Sequence, residues 1–483
     1  MKKICFVFFI LLLGIAPVIS SAEEISMLKG DINENGIVND IDLRILSEHL
    51  SLTDGNMQYD ASKDLNDDGI IDALDLEMLA QGISGQKLHG FYPKEVFKSN
   101  NFNQKDLIKY FNDVSFAFYD VTYDAGMLEN YGIKINSTLL DENHIEALQI
   151  AKQNNIPIRF NVFSNMGVLK NVLPFEERRQ QLIHMMMDIM NQEIIKDIGI
   201  YWDGLVIDFE ELRNTATNPV TGIRENTLYD GKLMSELYIQ FLQELKQALS
   251  STGAGKDLYA AVPFSTYYDG YNYRAIGEIA DKVIVMAHDY EPKYSIKKSD
   301  VMLYVNNPAF VDSLASITRI DKAIHALTNP ETGIQDTQKI ILQISFGTAQ
   351  WKFPNIEKPE DWQTVPLQTA GIYSTPSYGQ IYQRMTSQLD PGVPNYIKPL
   401  ESPYLAYYNS TDKTYNFILY EDSRSVEEKI KKAQEAGIGG ISIWSLGRIP
   451  SYQNPTNENG TNELYFDVWT QILQSVNLKF MRE

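Results

Sequence analysis

The chain has 483 residues, 44% hydrophobic and 22% charged, which supplies a large core and excludes a disordered polymer. Acidic residues (63) outnumber lysine and arginine (42), and the net charge of −21 argues against nucleic acid or anionic lipid as a partner. Divalent cations and neutral sugars suit that charge better.

Residues 1–22 read as a secretory signal peptide. Lys2 and Lys3 open it, Phe6–Ile19 is apolar, and Ser20, Ser21 and Ala22 are small enough for a cleavage site. The apolar run is short for a bilayer, so no membrane span is expected in the mature chain, and the expected location is extracellular. Cys5 is the only cysteine and falls within the leader. No disulfide can then staple the mature protein, which must rest on a large core or on metal.

Two acidic segments follow in the same register. Asp31, Asn33, Asn35, Asn39 and Asp42 occupy loop positions 1, 3, 5, 9 and 12 of the first, with Gly36 at position 6. Asp64, Asn66, Asp68, Asp72 and Asp75 repeat the pattern around Gly69. Calcium is a hard cation that takes six to eight oxygens, and glycine permits the sharp turn that wraps them around it. Each loop runs into an apolar helix, with Leu43, Ile45, Leu46 and Leu50 after the first and Leu76, Met78 and Leu79 after the second. Two structural calcium ions are expected here and no cofactor in the rest of the chain. The pair, over 29–84, resembles a dockerin. That resemblance implies a cohesin-bearing scaffoldin as partner and a cell-surface multienzyme complex as the setting. At positions 10 and 11, where dockerins read their partner, the chain carries Asp40-Ile41 and Ala73-Leu74 instead of the Ser-Thr-like pairs many of them use.

A linker at 85–87 closes the Gly/Ser-containing stretch Gln81–Lys87, and the main domain is expected over 88–483. Eight short β-rich runs alternate with helical patterns such as Phe175–Ile195 and Lys232–Leu249. The runs are Leu88–Tyr92, Val114–Tyr119, Ile158–Phe163, Gly204–Glu210, Tyr259–Phe264, Val283–His288, Ile340–Phe346 and Gly440–Trp444. That alternation predicts an α/β fold, a (β/α)8 TIM barrel, with chemistry at the carboxyl ends of the strands. The aromatic-rich stretch from about Pro354 to Tyr420 is too long for a crossover and predicts an α+β insertion. The whole is preceded by the small all-α, EF-hand-like calcium module.

On the fourth run, Val206, Asp208 and Glu210 share one face, because strand side chains alternate. Two carboxylates on an inward face repel each other and lose water, which raises one pKa and suits a general acid. Here the chain resembles glycoside hydrolase family 18, whose signature Asp-x-x-Asp-x-Asp-x-Glu is matched by Asp203, Asp208 and Glu210. The segment Met286-Ala-His288-Asp289-Tyr290 resembles the family's Met-x-Tyr-Asp, and Gly440–Trp444 its closing strand. The run Tyr420–Ser425 followed by Lys429 resembles the bacterial cell-wall N-acetylglucosaminidase branch.

The resemblance implies hydrolysis of β-linked N-acetylglucosamine polymers by substrate-assisted retention, one of the exceptions to the two-carboxylate scheme. Glu210 would be the acid and Asp208 the group that orients the substrate acetamide, with His288 and Asp289 completing the catalytic set. Asp203, Met286, Tyr290 and Trp444 would bind substrate. Val206 stands where the family has its middle Asp, so Asp208 is expected to stay ionised. His288 stands where the family has Tyr, and its neutral form is expected to be the active one. Chitin, peptidoglycan and the N-glycan core all stay open as substrates, as does a barrel that only binds sugar.

Overall fold

The structure is a computed structural model that describes residues 30–33, 38, 40–66, 68–82, 86–94, 102–137, 140–251, 255–265, 267–306, 314–452 and 464–476. The leader at 1–22 and the loop donors Asn35 and Asn39 lie outside the described residues. Among those described, no helix is long and apolar enough to cross a membrane.

The N-terminal module pairs helix α1 (Asp40–Ser47) with helix α2 (Ala73–Gly82) over a small core of Val38, Leu46, Leu65, Ile71 and Leu79. The two loops fold alike. Asp42 is fully buried and accepts from the Ile32 and Asn33 amides through Oδ1, and Asp75 accepts in the same way from Leu65 and Asn66. Asp64 accepts from the Asp68 and Gly69 amides at 3.1 and 2.7 Å, which closes the second loop around its own first residue. The donor set is all oxygen and fits a hard cation. Among the described residues, however, no three acidic or histidine side chains already converge to metal-binding distance. The two faces of the duplicated module differ in exposure. Ile41 is 2% exposed and joins the core of the larger domain, while Leu74 is 54% exposed. Arg44 donates to the Asn155 carbonyl, at the foot of the larger domain.

Eight parallel strands close the barrel: β1 (Lys87–Pro93), β2 (Asp113–Tyr123), β3 (Ile158–Asn165), β4 (Gly204–Glu210), β5 (Asp257–Pro263), β6 (Lys282–Met286), β7 (Ile340–Ser345) and β8 (Gly440–Trp444). The pairing of β8 with β1 and of β1 with β2 completes the circle. β-branched and aromatic runs made these strands legible, because both sides of each are covered. Helices such as α3 (Glu176–Asn191) and α4 (Met234–Ser251) bury Leu182, Met186, Phe241 and Leu245 on the outside of the sheet. Lys87 opens β1, so the linker is shorter than expected.

The lower barrel interior holds a polar layer. Arg159 Nη1 lies 3.1 Å from Asp113 Oδ2, which also accepts from the Tyr259 hydroxyl at 2.7 Å, and the guanidinium sits 4.0 Å above the Tyr259 ring. Burial pushes His89 down to about 4, and its two ring nitrogens lie 2.8 Å from the Ser442 and Ser115 hydroxyls. Above this layer Phe91, Val206, Tyr259, Ala261, Ile284 and Ile341 fill the barrel.

The insertion is a six-stranded sheet with helix α5 (Tyr378–Met385). It starts at Ala349, earlier than the expected Pro354, and also recruits Ile296–Lys297 from the segment after β6.

Candidate active site

Asp208 and Glu210 rise on β4 towards the barrel mouth on the same face as Val206. Asp208 is 7% exposed; its Oδ2 accepts from Asn161 Nδ2 at 3.2 Å, and its Oδ1 has no hydrogen-bond partner among the described residues. Burial first, and the Glu210 charge second, push the Asp208 carboxyl up to about 8. Burial also raises Glu210, while His288 pulls it the other way. Valine at 206 therefore does not leave Asp208 ionised, as the sequence suggested. The carboxyl loses more from dehydration than it gains from Asn161, and the pair favours holding a proton.

His288 lies beyond β6, which ends at Met286, so the strand parity expected for Met286, His288 and Tyr290 does not extend that far. Asp289 takes a left-handed backbone with φ of 61°, which Asp tolerates better than most residues, and this turns the chain. His288 Nε2 donates to Gln343 Oε1 at 2.6 Å, and its Nδ1 is 3.3 Å from Asp289 Oδ1, at ion-pair range but not aligned as a hydrogen bond. Burial lowers the imidazole pKa, but Asp289, Gln343 and Glu210 together outweigh it and raise the net value. Its neighbours are acceptors, which shift the ring towards imidazolium, against the expectation of a neutral ring. Asp289 is held well below the usual carboxylate range despite partial burial, by His288 and by Lys293 at 2.8 Å.

Beside these groups lies a cavity of about 560 Å³, lined in part by Asp289, Glu291, Lys293, Tyr373, Trp444 and Arg448. Trp444 stands half-buried at the end of β8, its ring 5.2 Å from Phe91 at 67°. Met286 packs with it and Ala117 on the barrel core, as part of the floor.

The sequence profile described as "Glycosyl hydrolases family 18" matches residues 87–448, well over half of the chain. The chain belongs to that family. A second profile, "Dockerin type I domain", matches residues 29–84. A relative named "Cortical fragment-lytic enzyme" from Bacillus subtilis (strain 168) is 24% identical over 217 residues, covering 44% of this chain and 43% of its own. The chain thus spans less than half the length of that relative. Among solved structures, a chitinase from Chromobacterium violaceum ATCC 12472 superposes with a TM-score of 0.53 at 17% identity, over 81% of this chain and 99% of its own. The spore cortex-lytic enzyme of Bacillus megaterium QM B1551 gives 0.52 at 16%, over 81% of this chain and 73% of its own. At such identities these two show the fold alone.

Several residues singled out in the sequence play other parts here. Asp203 is at the foot of the barrel, seven residues and about 23 Å below Glu210 at ~3.3 Å per residue, and its Oδ2 accepts from the Ile158 amide at 2.8 Å. It secures the start of β4 against β3 and does not reach the cleft, contrary to its expected role in substrate binding. Tyr290 also departs from expectation: its hydroxyl donates to the Phe264 carbonyl at 3.1 Å, Arg319 covers its ring at 5.0 Å, and it does not line the cavity. Asp422 caps the helix Ser423–Glu435, while Glu421 and Lys429 form a buried ion pair, so that run serves the scaffold.

Three site residues had escaped the sequence reading. Asn161 and Gln343 come from distant strands and hold Asp208 and His288. Glu291 is 7% exposed, lines the cavity and is pushed up to about 7, by burial first and the Asp289 charge second. The only signal for it was its place two residues after Asp289.

Proposed function

We propose that the protein is a secreted, scaffold-attached glycosidase that cleaves β-1,4-linked N-acetylglucosamine polymers, chitin or peptidoglycan, by substrate-assisted retention. The observation that carries this is the Asp208–Glu210 pair, with both carboxyls raised by burial at the barrel mouth, where they can keep a proton near neutral pH. Glu210 protonates the glycosidic oxygen. The substrate's acetamido oxygen attacks the anomeric carbon, and Asp208, anionic once the proton has passed to Glu210, steadies the cationic ring that forms. Glu210 as carboxylate then draws a proton from water, and hydrolysis returns the sugar with retained configuration. Trp444 offers an aromatic face to the apolar side of a pyranose. The names of the cortex-lytic relatives favour peptidoglycan among the candidates.

The type I dockerin match supports a cohesin-bearing scaffoldin as partner, with two structural calcium ions held by the loops of Asp31–Asp42 and Asp64–Asp75. Secretion rests on the leader at 1–22. The deciding experiment is mass spectrometry of products from chitin oligomers, purified peptidoglycan and a high-mannose glycopeptide. Release of N-acetylglucosamine-ended fragments from either of the first two supports the proposal. Cleavage of the glycopeptide alone, or of none of the three, overturns it.

A further inference from the structure

The sheet of the insertion has two unlike faces. Trp351, Phe353, Phe417 and Leu419 point into an apolar core. Alternation puts Gln350 and Lys352 on the opposite face, with Tyr407 from the next strand but one. Helix α5 crosses that face on Ile418 and leaves a groove of about 570 Å³ between its Gln380, Gln383 and Arg384 and the sheet.

The groove has a fixed polar floor. Gln350 is 4% exposed, donates to Asn416 Oδ1 at 2.8 Å and accepts from the Ser374 hydroxyl at 3.2 Å. Among the described residues the walls bear two cations, Lys352 and Arg384, and no carboxylate, in a chain with 63 acidic and 42 basic residues. Arg384 lies 4.7 Å over the Tyr407 ring and donates to the Leu389 and Asp390 carbonyls at 3.4 Å, contacts that orient it, and the Asp390 carboxylate acts on it at longer range. Lys352 has no ion-pair partner among the described residues. The carboxylates nearby are engaged on adjoining turns, Asp390 with the Ser410 amide at 2.6 Å and Asp412 with the Thr414 hydroxyl at 2.7 Å. Thr375, Pro376 and Gln380 line both this groove and the cavity beside Trp444, so a chain lying in the cleft continues into the groove.

We propose that the groove is a distal subsite for a carboxylate-bearing glycan strand, with Lys352 and Arg384 as its anion readers, so that the protein favours peptidoglycan-type strands over neutral chitin. This rests on the glycosidase reading given above. Fixed side-chain amides and an aromatic ring suit sugar hydroxyls, and the paired cations add a preference that a neutral polymer cannot satisfy. The carboxylate is either the lactyl ether group of the sugar or the end of a stem peptide.

The test compares full-length wild type, Lys352→Gln, Lys352→Arg and Lys352→Gln/Arg384→Gln. Substrates are chitin hexamer, peptidoglycan strands with stem peptides, strands stripped of peptides by an amidase, and stripped strands with amidated carboxyls. Lys352→Gln should raise KM for carboxylate-bearing strands roughly fivefold to tenfold, more in the double variant, and leave chitin hexamer unchanged. Lys352→Arg should retain the wild-type KM, and amidation should remove the difference between variants. A response on stripped strands assigns the lactyl carboxylate; a response only with peptides present assigns the stem. Equal changes on chitin and strands, or none on any strand, overturn the subsite. If wild type cleaves none of these substrates, the glycosidase reading fails by itself. Titration calorimetry of the same strands into Glu210→Gln protein with and without Lys352→Gln then decides the groove: charge-dependent loss of affinity supports it, and equal affinity overturns it.

Discussion

Asn161 Nδ2 donates to Asp208 Oδ2 at 3.2 Å across neighbouring strands, and among the described residues it is the only hydrogen-bond donor to this buried carboxyl. One neutral donor does not offset the burial of a charge. The Asp208 carboxyl, at about 8 in the folded state, stands well above its unfolded value of about 3.9. Its stabilising, neutral form is fully present below the unfolded value and is lost as pH rises through about 8. Asp208→Asn keeps the shape and never charges. It should abolish activity yet raise the melting temperature, by a margin that grows from pH 5 to pH 8. Calorimetry across that range checks this; a margin that shrinks with pH would show Asp208 ionised in the fold.

Glu210→Gln should lower the rate by ~10²–10⁴ or more and leave sugar affinity nearly intact, since the amide fills the same place but cannot protonate a leaving group. Paired measurements of kcat and oligosaccharide Kd are needed. A variant that keeps more than about a tenth of the activity would move the acid elsewhere.

His288 pulls the Glu210 pKa down from across the cleft. His288→Gln removes that cation, so Glu210 should hold its proton to higher pH. The alkaline limb of kcat/KM should move upward while the maximum falls, because Asp289 loses a counter-charge. Superimposable profiles would make His288 a packing residue.

Chelation of calcium should melt residues 29–84 and leave the barrel transition in place. Asp42 and Asp75 are fully buried, and among the described residues the module's own core is five buried side chains. So small a core cannot by itself hold repelling carboxylates together. Calorimetry with and without chelator distinguishes the outcomes, and a single transition indifferent to chelator would refute the metal sites.

The barrel was legible because each strand is a short apolar run between helices, and β4 and β8 fall on their predicted bounds. The inward face of Val206, Asp208 and Glu210 followed from alternation alone. Asp203 misled because a motif match specifies spacing and not depth, and its spacing places it at the foot of the strand. His288 misled because a left-handed turn at Asp289 ends the strand early. The protonation of Asp208 and His288 also depends on burial and on Asn161 and Gln343, which come from strands distant in sequence.

The unequal exposure of Ile41 and Leu74 bears on how the protein would be displayed. A duplicated helix pair maps onto itself by a half turn, so a socket that grips one helix could grip the other with the cargo reversed. Here the first copy is occupied against the barrel's foot, with Arg44 on the Asn155 carbonyl, and the second faces outward. A docked partner then meets a single polarity. Because the strands' carboxyl ends lie at the far pole from that foot, the cleft opens away from the calcium module.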